Sequence, residues 1–189
     1  ESYVEDKLRD TMNSLTNPTL APYAREGEVR LRVTARAETR EKADEMMQPV
    51  IETVRGVIGD YIYGIDTDSL EKTVLELLKE KEMTFAAAES CTGGLVAKRI
   101  TDVSGASGCF AYGCVTYANE AKQRLLGVSA ETLEKYGAVS EQTALEMARG
   151  VRALAGSNIG VSVTGVAGPN PSEGKEVGLV YVAISHDGG

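Results

Sequence analysis

Apolar residues recur along this chain with two different periods, and the switches between them predict its elements. Val4, Leu8, Thr11, Met12 and Leu15 share one face of a first helix, which Asn17-Pro18 ends because proline disfavours helical geometry in the residue before it. From Glu28 to Arg36 the period drops to two. Val29, Leu31, Val33 and Ala35 fall on one side and Arg30, Arg32, Thr34 and Arg36 on the other, as in a half-buried strand. A second helix follows, with Ala43, Met47, Val50, Ile51 and Val54 inward, and Tyr61-Ile62-Tyr63-Gly64 reads as a short strand. These elements make an α-β-α-β unit, a small domain over residues 1–67.

Gly64 to Ser69, rich in Gly, Asp, Thr and Ser, reads as a linker into a second domain over residues 68–189. Leu70, Val74, Leu77 and Leu78 mark a helix, and the short apolar run Thr84 to Ala88 a buried strand. Thr92 is placed to cap the helix that follows. Gly93 and Gly94 remove side chains from its first turn and leave backbone N–H groups open to a ligand. Cys109 to Tyr117 reads as a strand, Glu120 to Leu126 as a short helix closed by Gly127, and Ser140 as the cap of a long helix with Ala144, Met147, Ala148, Val151 and Leu154 inward. Ile159 to Val163 and Val177 to Ile184 are two more apolar strands, separated by the glycine-rich turn Thr164-Gly165-Val166-Ala167-Gly168-Pro169. Helices alternating with buried strands give an α/β sandwich.

Composition narrows the chemistry. The net charge of −8 argues against nucleic-acid partners, which require excess Lys and Arg. No stretch approaches the roughly 20 apolar residues of a membrane span. The N-terminus has no signal-peptide pattern and no initiator methionine, so the chain is expected to begin within a longer protein or after a removed segment. Three scattered cysteines, Cys91, Cys109 and Cys114, indicate neither a disulfide framework nor a zinc site, and a cytoplasmic, reducing compartment is expected. His186 is the only histidine, so a Ser-His-Asp triad would depend on a residue at the chain's end. No metal site or cofactor is expected.

Ligands of open α/β sheets bind at the carboxyl ends of the strands, where Ser90–Gly94, Thr116–Lys122 and Thr164–Pro169 all fall. Ser90 is a candidate nucleophile and Cys91 its rival. Adjacent residues in extended chain point to opposite sides, so one of the two faces the pocket. Lys122 is the candidate base. With Asn119 as helix cap it lies in a first turn, where the dipole and burial depress an amine's pKa; as an ordinary surface lysine it would do nothing. Tyr117 can hydrogen-bond a reacting group or simply pack, and Thr164 can donate into the pocket or bond a neighbouring turn. In residues 1–67, nine basic against thirteen acidic residues give a net charge of −4, so the Arg30, Arg32 and Arg36 face is expected to be balanced by helix carboxylates. Gly56-Val57-Ile58-Gly59 matches the GxxG clamp of RNA-binding KH domains but reads as a helix stop.

Four motifs, Ala-Glu-Ser-Cys-Thr-Gly-Gly at 88–94, Val-Thr-Tyr-Ala-Asn-Glu-Ala-Lys at 115–122, Gly-Ala-Val-Ser-Glu at 137–141 and Thr-Gly-Val-Ala-Gly-Pro at 164–169, are similar in order and spacing to the C-terminal domain of the CinA (competence/damage-inducible) family. The likeness runs from about Ser69 to the end. Asn17-Pro18-Thr19-Leu20-Ala21-Pro22 and Gly27-Glu28-Val29-Arg30-Leu31-Arg32 resemble the family's KH-like middle domain. The resemblance implies an α/β protein: a small α+β KH-like domain followed by an α/β sandwich amidase domain. It implies a cytoplasmic, homodimeric nicotinamide-nucleotide amidase that converts nicotinamide mononucleotide to nicotinate mononucleotide and ammonia without metal or cofactor. Ser90 is then the nucleophile and Lys122 its base, with Tyr117 and Thr164 assisting. Thr92, Gly93, Gly94, Asn119, Gly165 and Gly168 become the substrate-binding positions.

Two departures from the family bear on this. The molybdopterin-binding-like domain that begins full-length members, associated with ADP-ribose pyrophosphatase activity, has no counterpart in this sequence. Members also continue past the last strand with further sheet and helix, so an exposed strand edge and a partly open pocket are expected. A catalytically silent nucleotide-binding or regulatory module stands as the alternative.

Overall fold

The computed structural model describes residues 2–25 and 27–188 and divides into two compact units, residues 1–66 and 67–189. In the first, helix α1 (Ser2–Ser14) is followed by strands β1 (Thr19–Arg25) and β2 (Glu28–Thr34), then helix α2 (Arg40–Ile58). The strands form an antiparallel ribbon in which Leu20 lies opposite Val33 and Tyr23 opposite Arg30. Leu8 of α1, Leu20 of β1, and Val50, Val54 and Ile58 of α2 make the core, with Leu31 and Val33 packed against it.

This α-β-β-α order corrects the expected one. Strand β1 carries Pro22 and lacks clean alternation, and its pairing to β2 reveals it. Tyr61–Gly64 is not a strand, because the chain leaves α2 through a 3-10 turn at Gly59–Tyr61. The arginine face also differs from expectation at Arg32, whose guanidinium lies 4.7 Å from the centre of the Tyr23 ring.

The second unit begins with helix α3 (Leu70–Glu80), capped by the Ser69 hydroxyl. Strand β3 (Phe85–Glu89), helix α4 (Leu95–Thr101), strand β4 (Phe110–Val115) and helix α5 (Asn119–Leu126) follow. Then come helices α6 (Ala130–Tyr136) and α7 (Glu141–Ala155) and strands β5 (Ile159–Gly165) and β6 (Val180–Ser185). The sheet order is β4-β3-β5-β6, with β3 parallel to both neighbours and β6 antiparallel to β5.

Alternation along β3 sends its two sides into two cores. Phe85 packs with Leu75, Leu78, Ile100 and Cys109 on one face, while Ala86 and Ala88 pack with Leu126, Met147 and Val151 on the other. Small side chains at Ala86 and Ala88 let α7 sit close to the sheet. The helix-lined sheet has the α/β architecture expected.

Several local expectations change. The inner residues of α3 are Leu75 and Leu78, while Leu70, Val74 and Leu77 are exposed, and Leu154 of α7 is likewise outside. Helix α6, capped by Ser129, is too short to show a helical period. Ser140 does cap α7, its hydroxyl accepting from the Thr143 N–H. Strand β6 lies at the sheet edge, and Val182 on its outer side is 64% exposed. Among the described residues no helix is long and apolar enough to cross a membrane.

Candidate active site

Ser90 directly follows β3, Thr116 directly follows β4, and Thr164 sits near the end of β5. The register pairs Ala88 with Cys114 on one side and with Ser162 on the other. The ladder continues past β3, since the Ser90 N–H donates to the Val163 carbonyl at 2.9 Å and the Thr116 N–H to the Glu89 carbonyl at 2.8 Å. Two residues beyond Ala88, Ser90 therefore falls in a row with Thr116 and Thr164 at the carboxyl ends of three parallel strands. All three are buried.

Lys122 lies under this row. It is 1% exposed, and its Nζ is 3.2 Å from Ser90 Oγ, 2.9 Å from the Thr116 carbonyl and 3.0 Å from the Tyr117 carbonyl. The reading as an ordinary surface lysine is excluded. Burial lowers its pKa from the ordinary lysine value, opposed by the negative charge of Glu173 and by Cys91. The two carbonyls define what a neutral amine does here. They accept its two N–H bonds, which leaves the lone pair facing the Ser90 hydroxyl. Asn119 does not cap α5 as expected. It is the first helical residue, Ala118 stands at the cap, and the Lys122 N–H still closes the first turn onto the Ala118 carbonyl.

The N-terminus of α4 is not the open donor ring that the Gly-Gly sequence predicts. Glu89, the last residue of β3 and 1% exposed, turns its carboxylate onto it. Oε2 accepts from the N–H groups of Gly94 and Val96 at 3.0 and 3.1 Å, and Oε1 from Ala97 at 2.9 Å. The Gly93 N–H donates to the Ser90 carbonyl. Thr92 is therefore not the cap. Gly94 stands there in a left-handed conformation, and the Thr92 hydroxyl is buried without a hydrogen-bond partner. The N–H groups of Cys91 and Thr92 act on the Cys91 sulfur, but burial outweighs them and raises that thiol's pKa. A thiol in that state is a poor nucleophile at neutral pH.

The remaining expected residues divide. The Thr164 hydroxyl commits its proton to the Ala138 carbonyl at 2.8 Å rather than to the pocket. Tyr117 gives its carbonyl to Lys122, while the residue as a whole is 71% exposed, so it is not a packed core ring. Gly165 packs tightly, for a Cβ there would come 2.8 Å from the Leu179 carbonyl and 3.1 Å from Cys91 Sγ. Gly168 lies farther along the exposed β5–β6 connection with φ of +89°. Two residues near the site, Glu89 and Glu173, escaped sequence reasoning. Glu89 carries a faint signal, an acid ending an apolar strand just before Gly-Gly. Glu173 carries none, while Thr116, which opens one of the expected strand-end segments without a role of its own, has a buried hydroxyl with no partner.

Comparison with known proteins agrees across the whole chain. Residues 67–189 match the family model described as the CinA C-terminal domain, and residues 1–64 match that of the damage-inducible protein CinA KH domain. A CinA-like protein of Kosmotoga olearia is 49% identical over 189 residues, covering 100% of this chain and 46% of that protein. One from Desulfovibrio desulfuricans is 56% identical over 170 residues, covering 89% of this chain and 40% of that protein. The chain thus spans less than half the length of these curated relatives. Among solved structures, a competence/damage-inducible protein from Agrobacterium tumefaciens superposes with a TM-score of 0.62 at 42% identity, covering 68% of this chain and 78% of that one. One from Klebsiella pneumoniae gives 0.62 at 38% identity, covering 64% and 75%.

Proposed function

The chain belongs to the CinA family, and on that premise we propose that its second unit is an amidohydrolase converting nicotinamide mononucleotide to nicotinate mononucleotide and ammonia. The observation that carries the reading is the buried Lys122 amine 3.2 Å from Ser90 Oγ, with both of its other neighbours carbonyls. A lysine depressed by burial and oriented in this way is suited to take a proton from serine at neutral pH.

In this mechanism neutral Lys122 takes the Ser90 proton as Oγ bonds to the carboxamide carbon. The oxyanion is assigned to the amides of Cys91 and Thr92, which in the free site face the Cys91 sulfur and turn to the substrate oxygen when it arrives; those of Gly93 and Gly94 are held by the Ser90 carbonyl and Glu89. Collapse breaks the C–N bond, and Lys122 returns its proton to the leaving nitrogen, which departs as ammonia. Water, deprotonated by Lys122, attacks the acyl carbon and releases nicotinate mononucleotide, and the proton returns to Ser90. Tyr117, at the exposed rim, is assigned to substrate contact. Thr164 holds the wall of the pocket through Ala138.

Ammonia release from nicotinamide mononucleotide tests the reading. The wild type and Cys91→Ala turn over, whereas Ser90→Ala and Lys122→Ala do not. Binding without turnover by the wild type would make this a nucleotide-binding module, and an active Ser90→Ala with an inactive Cys91→Ala would move the nucleophile to Cys91.

A further inference from the structure

The β5–β6 connection returns over the turn before α7 and fastens there through two side chains, Glu173 and Lys175. Glu173 Oε1 accepts from the Ala138 N–H at 2.9 Å and Oε2 from the Val139 N–H at 3.1 Å. Lys175 bridges the same carboxylate at 3.2 Å to the Tyr136 carbonyl at 2.7 Å. Between these anchors Gly137 has φ of +80°, and a Cβ there would collide with the Glu173 carboxylate, so the backbone is shaped to receive it. The other side of the same turn faces the catalytic row: the Ala138 carbonyl accepts the Thr164 hydroxyl, and the preceding residue, Val163, accepts the Ser90 N–H.

We infer that Glu173 is a positioning residue of the Ser90–Lys122 centre, gripping the Gly137–Val139 turn so that Thr164 and the end of β5 are held beside the nucleophile. Burial raises the Glu173 pKa, but the two N–H bonds and Lys175 outweigh it, so the side chain is anionic near neutrality. Its charge reaches Lys122, where it opposes the effect of burial, as does Cys91 from the turn after β3. Glu173 thus acts on the centre in two ways: by tying the turn and by moderating how far the lysine is depressed. The inference rests on the Ser/Lys reading of this site but does not require nicotinamide mononucleotide as its substrate.

Two readouts separate the claims: turnover of nicotinamide mononucleotide, and labelling of Ser90 by a fluorophosphonate followed by intact mass across pH. Glu173→Gln removes the charge while keeping size and one acceptor oxygen. Both rates should fall, by up to about 100-fold for a centre displaced by an ångström. Their acid limbs should move to lower pH, because losing a nearby anion lowers the Lys122 pKa further. Thr164→Val, which removes the hydroxyl that donates to the Ala138 carbonyl, should lower the plateau and add little in a Glu173→Gln background. Circular dichroism and thermal melts verify folding of each variant. An unmoved acid limb and unchanged rates in folded Glu173→Gln overturn the inference, as do fully additive losses in the double variant. Wild-type Ser90 labelling without turnover overturns the substrate assignment and leaves the Glu173 test readable.

Discussion

Lys122 Nζ meets Ser90 Oγ at 3.2 Å while the carbonyls of Thr116 and Tyr117 hold its remaining hydrogens. The carbonyls select which face of the amine the serine sees, so the lysine needs no third side chain to orient it. That separates this pair from a histidine-based triad, in which a carboxylate orients the base.

If Lys122 is the base, as proposed, replacing it should remove chemistry more than fold. Lys122→Met preserves the apolar stem and should lower ammonia release by about 100- to 10,000-fold, the range for losing a general base. Circular dichroism should show the fold retained, with any change in melting temperature set by the lost amine and its two carbonyl partners. Parallel kinetics and thermal melts would check this, and a variant that keeps full activity would remove Lys122 from the mechanism.

Activity should rise with pH on the acid side as Lys122 loses its proton, with a midpoint below the pKa of free lysine because burial depresses it. A pH profile of kcat/KM measures the midpoint directly. One that coincides with free lysine would contradict the depressed amine.

The same depression has a stability signature of opposite sense to a salt bridge. A lysine whose folded pKa is lowered destabilises the native state fully below that folded pKa, and the penalty disappears as pH rises toward the unfolded value. The stability of Lys122→Met relative to wild type should therefore be greatest at low pH and decline as pH climbs. Melting temperatures of both proteins from about pH 6 to about pH 10 would show it.

Glu89 should matter to the fold of the turn that carries Ser90. Glu89→Ala leaves the N–H groups of Gly94, Val96 and Ala97 without their carboxylate and should cost about 3 kcal/mol in urea denaturation. Ser90 labelling should slow in the same variant, since the carboxylate ties α4 to the end of β3, next to Ser90.

Gly150 inverts a familiar rule. Glycine to alanine in a helix usually stabilises by removing backbone freedom. At Gly150 of α7 the added Cβ would collide with the Leu126 carbonyl, backbone that cannot step aside. Gly150→Ala should destabilise by about 1–3 kcal/mol, measured by chemical denaturation.

Most of the architecture was written in local pattern. The alternation of Val29, Leu31 and Val33, the apolar run at 85–88, the Ser140 cap and the Gly127 stop depend on residues within a turn or two of one another, which is why they can be read along the chain. The same motifs carried the family, and Ser90 and Lys122 were named from them. Pairing and burial decided the rest. Strand β1 was hidden until β2 lay beside it, and Tyr61–Gly64 looked extended although it begins in a 3-10 turn and forms no strand. The Gly-Gly start of α4 looked open because its sequence signals only faintly that Glu89 turns back onto it. Hydrogen-bond direction is a property of three-dimensional placement. Only the assembled sheet could aim two carbonyls at Lys122 and set its amine against Ser90, and only the fold brings Glu173 to the Ala138 N–H 35 residues away.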